Sequence, residues 1–234
     1  MPYPFPVTTS QLWVYAQDCE TNAGRFDRRL KRLGDDMSLI LILSAAASAV
    51  GFQQYDLGMS LEQARAVPIA AGDYGAKRLS CTGDGDESRF LRLTPAEASL
   101  GIVKCWPMQT VGSTPSRADI EIGGGISATT EFLFSQGRLF EIQTYYDFTR
   151  RTPLESALRL RFGEPTGQAS STLQNLYGAQ FEQQTLVWVR DGQSVNLIAP
   201  ALNLERMAVI YRDDTIADAI YRLIEATDAS ELSI

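Results

Sequence analysis

Clustered carboxylates are the residues in this sequence that come closest to a catalytic or metal-binding pattern. Asp84, Asp86 and Glu87 crowd into one short loop, and Asp213 and Asp214 stand together before an apolar periodic segment. Carboxylates can act as general acids and bases, or bind Ca²⁺. The loop lacks the glycine and glutamate spacing of an EF-hand, however, and an aspartate before a helix is commonly its N-cap. We therefore predict a solvated turn and a helix cap at these two places.

Histidine is absent from the chain. This absence excludes Ser-His-Asp and Cys-His mechanisms and removes the commonest transition-metal ligand. The triple glycine 123–125 is not followed by the Lys-Ser/Thr pair of a phosphate-binding loop, so it predicts a flexible loop or a strand break. No pattern indicates a catalytic residue, a metal or a cofactor. Carboxylate, lysine or tyrosine chemistry stays open.

Composition narrows the class of protein. The 234 residues allow one large domain or two small ones, and the 44% share of hydrophobic residues can form a sizeable core. The net charge of −7 disfavours nucleic acid and anionic membrane surfaces as partners. Another protein is the partner that we predict.

The first 49 residues differ from the rest and resemble a leader. A basic cluster at residues 25–32 precedes an apolar run at 37–50, which is too short to span a bilayer as a helix. Ala47-Ser48-Ala49 has the small-x-small pattern of a signal-peptidase site. We predict a signal-like segment at 37–49 with cleavage near Ala49, a periplasmic or secreted protein, and no stable membrane insertion after leader removal. The alternative is a folded amino-terminal helix in a cytoplasmic protein.

Two of the three cysteines lie in strand-like segments. Cys81 falls within 78–82 and Cys105 within 102–106. In an oxidising compartment a cross-strand disulfide between them is reasonable, and it would stabilise the fold by roughly 3 kcal/mol in the chain-entropy model. In the cytosol they would be two buried thiols. We favour the disulfide.

Helix signals occur at four places. Capping boxes predict helix starts at Ser60, Thr94 and Thr152, each with Glu or Gln three residues later. The first helix ends before Pro68 and the third at Gly163. A closing amphipathic helix is capped near Asp214 or Thr215.

Strand signals dominate the rest of the chain. The clearest is a hairpin of residues 130–134 and 139–146, and Asp191-Gly192 predicts a second hairpin between 181–190 and 195–198. A further strand is expected at 208–211, and the polar tract 166–175 is expected to be a surface loop. Five aromatic residues of the first hairpin could line a binding face, although alternating aromatics usually pack in a core: Phe132, Phe134, Phe140, Tyr145 and Tyr146.

These elements predict an α+β fold of antiparallel β-meanders packed against short helices. The order of helix and then strands occurs twice, so we predict two imperfectly repeated units at 50–150 and 151–234. The first unit contains a large insertion, from the acidic loop through the triple glycine.

The element order resembles the β-lactamase inhibitor protein fold and is similar to the outer-membrane assembly lipoprotein BamE. The resemblance is carried by the helix opening at 57–64 (Leu-Gly-Met-Ser-Leu-Glu-Gln-Ala), and by Phe-Gly-Glu-Pro at 162–165 followed by Leu-Val-Trp at 186–188. The last two phrases are common in bacterial exported proteins. The chain differs from BamE in lacking a lipobox cysteine and in having two units. The resemblance implies a periplasmic protein that presents a sheet face to another protein.

The function that we predict is that of an exported, non-catalytic interaction module. One alternative is a carboxylate-type hydrolase acting on cell-envelope material, which would bring carboxylates together in a deep pocket. The other is an inhibitor or immunity-type protein that blocks a partner enzyme, for which the acidic net charge suits a basic partner surface.

Overall fold

The computed structural model describes residues 50–72, 75–85, 91–122, 126–174 and 178–231, with side chains through Thr227. The predicted leader, the triple glycine, Asp86 and Glu87 lie outside the described residues. Residues 50–234 form one compact unit. Within the described part of the chain, no helix is both long and apolar enough to cross a membrane.

Twelve strands and four helices make up the described residues of this unit. The first half contains β1 (Gly51–Phe52), β2 (Tyr55–Asp56), α1 (Leu61–Ala66), β3 (Arg78–Cys81), α2 (Pro95–Ser99), β4 (Val103–Val111), β5 (Thr114–Arg117), β6 (Ile120–Glu121), β7 (Ser127–Ser135) and β8 (Arg138–Asp147). The second half contains α3 (Arg151–Phe162), β9 (Gly167–Gln174), β10 (Gln180–Arg190), β11 (Gln193–Ala199), β12 (Arg206–Asp213) and α4 (Asp214–Glu231).

Ten of the strands form one antiparallel sheet in the order β3-β4-β7-β8-β12-β11-β10-β9, with β5 paired to β4 and β6 to β7. β1 and β2 form a separate hairpin. The predicted α+β class with antiparallel strands is therefore confirmed. β8 pairs directly with β12, for example Tyr145 with Ala208, so segments 50–150 and 151–234 share the same sheet.

Local sequence explains the first two helices. The hydroxyl of Ser60 accepts from the backbone N–H of Gln63, whose side chain accepts in return from the backbone of Ser60. Thr94 and Glu97 form the same reciprocal pair at the start of α2. The capping boxes predicted at these two sites are confirmed.

Two local predictions were wrong. α3 does not begin at a Thr152 cap, because Asp147 already caps a 3₁₀ turn (Phe148–Arg150) that leads directly into the helix at Arg151. The tract predicted as a loop at 166–175 is mostly β9. The polar side chains of β9 show no hydrophobic alternation that would predict a strand. β9 is an edge strand, and its backbone hydrogen bonds to β10 hold it in the sheet.

The sheet has two different faces. On one, which we name the helix face, Phe132, Ile142 and Val209 pack in a large core with Ala64 of α1 and Leu154 of α3. The opposite face is crossed by α4, which contacts β8, β11, β12 and α2. We name it the network face, because many of its inward-facing side chains are polar.

Cys81 and Cys105 lie opposite each other on β3 and β4. Their sulfur atoms are 2.00 Å apart, which is the distance of a disulfide bond. The pair lies in the core on the helix face and ties the short edge strand β3 to the rest of the sheet.

Candidate binding face

The described carboxylates that the sequence singled out have structural partners. Asp84 accepts a bidentate pair of bonds from Arg65, at 2.7 and 3.0 Å, and a further bond from the backbone N–H of Cys81 at 2.9 Å. Asp213 accepts from the backbone N–H of Ile216 at 3.1 Å, as a helix cap does. These groups hold a turn and a helix start, and they belong to separate elements.

The aromatic residues that could have formed a binding face do not share one surface. Phe132, Phe134, Phe140 and Tyr146 are 0–1% exposed. Tyr145 is partly exposed, and it points to the network face, opposite to Tyr146. Buried side chains cannot contact a partner of the folded chain, so only Tyr145 of the five is available to one.

Register places a row of polar residues on the network face. Glu141 lies opposite Arg212 of β12, and Gln143 lies opposite Glu131 of β7. Charged residues in the middle of buried strands must be paired or neutralised to offset their desolvation. The two ends of this face differ in how far their charged groups are paired.

A chain of hydrogen bonds runs along β8 from Tyr145 to the end of the face that α4 covers, where it joins the sheet to the helix. The hydroxyl of Tyr145 donates to Gln143, the side-chain amide of Gln143 donates to Glu141, and the hydroxyl of Tyr221 donates to the same Glu141 oxygen at 2.7 Å. Glu141 is only 2% exposed, and its burial raises the pKa of the carboxyl group, against the lowering effect of these bonds. Burial and Glu141 likewise raise the pKa of Tyr221.

Arg212 anchors the start of α4 beside this chain. Its guanidinium donates to Asp214 at 2.7 Å and to Asp218 at 3.1 Å, and Ser194 also donates to Asp214. Burial works against the charge of Arg212, but the neighbouring carboxylates raise its pKa overall. The covered end is therefore a satisfied network that fixes α4 to the sheet.

Lys104 and Glu97 extend the network beneath α2. The ammonium of Lys104 lies 2.8 Å from Glu97 and 3.9 Å from Glu131. Burial raises the pKa of Glu131, while Lys104, Arg117 and the indole of Trp106 act to lower it. Glu131 is thus a desolvated carboxyl group with cations on two sides.

The other end of the face has a guanidinium without an acceptor among the described residues. Arg117 lies over the ring of Trp106, with 3.3 Å between its central carbon and the ring centroid. Its Nε and Nη2 atoms are buried, and no hydrogen-bond acceptor of the described chain reaches them. Burial lowers the pKa of Arg117 despite the attraction of Glu131.

The charge of Arg206 also lowers the pKa of Arg117, but by less than Glu131, Tyr145 or Asp119 each raises it. In the described part of the chain, neither side chain forms a salt bridge. Both arginines are partly exposed. Tyr145, which also affects the pKa of Arg117, is partly exposed as well. Two partly exposed arginines therefore lie at this end of the face, each without a salt bridge in the described part of the chain.

The loop joining β11 to β12 lies at the same end of the sheet, since the backbone N–H of Phe148 donates to Glu205. Leu202 and Leu204 of this loop are 48% and 45% exposed. Leu202 has a φ of 64°, a left-handed conformation that costs a leucine about 1–2 kcal/mol. We name Arg117, Tyr145, Leu202, Leu204 and Arg206 the rim.

Cavities occur elsewhere in the described structure. One of about 200 Å³ is lined by Val50, Phe162, Trp188 and neighbouring residues, and one of about 130 Å³ includes Tyr55, Ile69 and Glu121. Neither contains a pair of carboxylates. In the part of the chain that the structure describes, no group of three or more Cys, Asp or Glu residues could hold a metal ion.

Sequence reasoning missed the polar residues of the network face, namely Arg117, Glu131, Glu141, Arg206 and Arg212. One signal was present, because glutamates 131 and 141 occupy the middle of apolar strand runs, where a charge is unusual. The arginines carried no signal, since each stands near a strand end. No family model matches the chain, and no curated protein or solved structure is detectably similar to it.

Proposed function

We propose that this protein is an exported, non-catalytic module that binds another protein through the rim. The observation that carries the proposal is the composition of the partly exposed rim: two arginines that form no salt bridge within the described chain, Tyr145, and two exposed leucines. Arginine, tyrosine and desolvated aromatic neighbours such as Trp106 are concentrated at the energetic centres of protein interfaces. Exposed apolar residues next to them fit the same use.

The architecture of the proposed module is a repeat within one sheet. Each unit would be a helix followed by four strands, α1 with β3, β4, β7 and β8, and α3 with β9 to β12. The strand order supports this. Moving outward from the central pair β8 and β12, the strands of both units follow in descending order along the chain, with β7, β4 and β3 on one side and β11, β10 and β9 on the other. The insertion in the first unit would then comprise α2 and the β5–β6 segment, within the region that the sequence indicates.

Export is supported by the cysteine pair at bonding distance, since such bonds persist in oxidising compartments. Mass spectrometry of protein recovered from the producing cell tests this part. We expect a mature chain that starts near Val50 and gains the mass of two hydrogen atoms when a reductant opens the disulfide. A full-length cytoplasmic product with free thiols would refute export.

An inhibitor or immunity-type role is a narrower form of the same proposal, in which the partner is an enzyme. It would use the same rim, because the helix face is filled by α1 and α3. A purified partner enzyme whose activity falls on addition of this protein would identify that form.

Position-dependent photo-crosslinking tests binding at the rim. A photoreactive phenylalanine analogue replaces Leu202 in one variant and Leu160 in another, because Leu160 is 90% exposed on α3, away from the rim. We expect one discrete crosslinked protein from position 202 and none from position 160. The product should disappear when Leu204→Asp is added and persist with Arg222→Gln.

Equal crosslinking at positions 160 and 202 would refute binding at the rim. A product containing only a second copy of this chain would refute a partner of another kind.

A further inference from the structure

We propose that β9 is a docking edge for a second copy of this chain, and that two copies pair their β9 strands antiparallel to continue one sheet across the dimer. This surface goes beyond the proposed function. It is separate from the rim, because β10 and β11 lie between β9 and β12, the strand that Arg206 begins.

β9 is an open edge of the sheet. It is the last strand on the main path, and β10 is its one strand neighbour in the described part of the chain. All eight residues of β9 are exposed or half-exposed, so the outer side of the strand is accessible. In an antiparallel sheet, every second residue of an edge strand points its N–H and C=O groups away from its neighbour. β9 therefore presents a row of accessible backbone donors and acceptors to a further strand.

The opposite edge of the same path is blunted. β3 has only four residues, Lys77 and Arg78 stand at its start, and the disulfide of Cys81 ties its end to β4. Short length and positive charge are common means by which edge strands avoid pairing with other chains. β9 has eight residues and no charge, so the two edges differ in how they are protected.

The sequence of β9 lacks the other protective features as well. Residues 165–181 contain no charged side chain, no proline falls within the strand, and its register with β10 runs through eight successive pairs without a bulge. The hydroxyls of Ser170 and Ser171 donate to Glu182 and Gln183 of β10, so these side chains bond toward the sheet. A regular, accessible and unprotected edge of this kind fits the addition of a strand from another chain.

The charge of the edge favours a second copy as the added strand. The whole chain has a net charge of −7, so two copies repel each other unless they meet at a neutral surface. Residues 165–181 form such a surface, and they offer no ion pair to a charged strand of another protein. Antiparallel pairing of two identical strands about a two-fold axis is also self-complementary, because each copy presents the same backbone pattern to the other.

The two-fold axis would be perpendicular to the sheet, which keeps the helix faces of both copies on the same side. Gln168 and Thr172 belong to that face, since Gln168 lies opposite the core residue Leu186. Ser, Thr and Gln side chains of the two strands would then lie across from one another, where they can form hydrogen bonds. One strand pair is a small interface, so we expect a dissociation constant in the micromolar range.

Analytical ultracentrifugation of the oxidised protein, recovered from the producing cell, tests for the dimer. We expect an equilibrium of monomer and dimer without larger species, because a two-fold pair occupies the β9 edge of both copies. Hydrogen exchange followed by mass spectrometry locates the interface. Amides within residues 167–174 should exchange more slowly at concentrations above the dissociation constant than below it.

A paired variant tests the edge directly. Gln168→Lys with Thr172→Lys adds two charges at exposed positions, and natural edge strands commonly carry lysine, so the fold should be kept. Across the axis these lysines meet like charges, and we expect the dissociation constant to rise by about tenfold or more. Gln54→Lys with Thr114→Lys is the matched control. It makes the same change of charge at exposed residues beside β6 and at the start of β5, and should leave the constant within about twofold.

A protein that stays monomeric up to about 1 mM would overturn the self-pairing. Equal weakening by the two paired variants, or a dimer without slower exchange in residues 167–174, would overturn its assignment to β9. Species that grow beyond the dimer would contradict the two-fold arrangement. If another protein slows exchange in β9 while the purified chain is monomeric, the edge belongs to that partner and the second copy is refuted.

Discussion

The two ends of the network face belong to the same strands, yet they treat positive charge in opposite ways. At the covered end, Arg212 is enclosed by two aspartates and α4 closes over it. At the rim, Arg117 and Arg206 are partly exposed and form no salt bridge with a carboxylate of the described chain. Both arrangements use arginine on a half-buried sheet surface, so residue type does not explain the difference.

What differs is where the compensating charge comes from. At the covered end, the carboxylates that bond to Arg212 come from α4, the next element of the chain. These bonds stabilise the fold and occupy the donors of the guanidinium. At the rim, the arginines form no salt bridge with a carboxylate of the described chain. Predictions that separate a structural role from a binding role therefore compare matched residues at the two ends.

The largest contrast should come from truncating one arginine at each end. Arg212→Met removes the buried cation that is bonded to Asp214 and Asp218, and we expect a loss of about 3–5 kcal/mol in the free energy of unfolding. Arg206→Met removes a charge that forms no salt bridge within the described residues, and it should change stability by less than about 0.5 kcal/mol. Urea denaturation measures both. Similar losses for the two variants would erase the distinction.

The disulfide gives the next largest effect, and it sharpens the comparison because it should affect stability alone. The bridge closes a loop with a sequence separation of 24 residues. Replacing both Cys81 and Cys105 with alanine should cost about 3 kcal/mol in unfolding free energy. The crosslink expected from position 202 should be unchanged in the folded variant. Unaltered stability on reduction of the wild-type protein would contradict this prediction.

The covered end should also respond to pH. Because burial raises the pKa of Glu141, the folded state keeps a proton that the unfolded state releases above the ordinary carboxyl pKa of about 4.5. The contribution of Glu141 to stability is thus full below that pH and is lost as pH rises toward the folded pKa, by about 1.4 kcal/mol for each pH unit that separates the two pKa values. Glu141→Gln keeps an oxygen acceptor for Tyr221 and does not titrate.

Thermal unfolding of Glu141→Gln and wild type between pH 4 and 8 measures the difference. We expect the stability of the variant relative to wild type to increase with pH. Glu131 titrates in the same direction and is present in both proteins, and its coupling to Glu141 is the smallest cause of the Glu141 shift, so most of its titration cancels in the difference. A relative stability that falls with rising pH would show that Glu141 is held as a charged group.

The smallest effect concerns backbone strain at the rim. Leu202→Gly removes a left-handed leucine, and we expect a gain of about 0.5–1 kcal/mol in unfolding free energy. Leu204→Gly is the matched control, since this leucine is similarly exposed without a positive φ, and it should lose stability by a similar amount. Urea denaturation again distinguishes them. A loss at both positions would show that Leu202 stores no strain.

Local signals predicted the elements better than their assembly. Ser60 and Thr94 were found because a capping box is a contact between residues three apart. β9 was missed because its order depends on β10, and the start of α3 was missed because Asp147 had already begun the helical turn.

The rim could not be predicted, because its members come together only through the sheet. Arg117 ends β5, Tyr145 lies in β8 and Arg206 begins β12. The aromatic hairpin was visible in the sequence, but which of its aromatics stay accessible depends on which face α1, α3 and α4 cover.

The sequence by itself determined the α+β class, the helices capped at Ser60 and Thr94 and the absence of histidine chemistry, and it favoured the pairing of Cys81 with Cys105. Each of these depends on composition, or on residues near one another in the chain or on adjacent strands. The tertiary structure decided which arginines have carboxylate partners. Strand pairing and the path of α4 bring residues from distant segments together, and only their final distances determine whether a charge is neutralised within the fold or left for a partner.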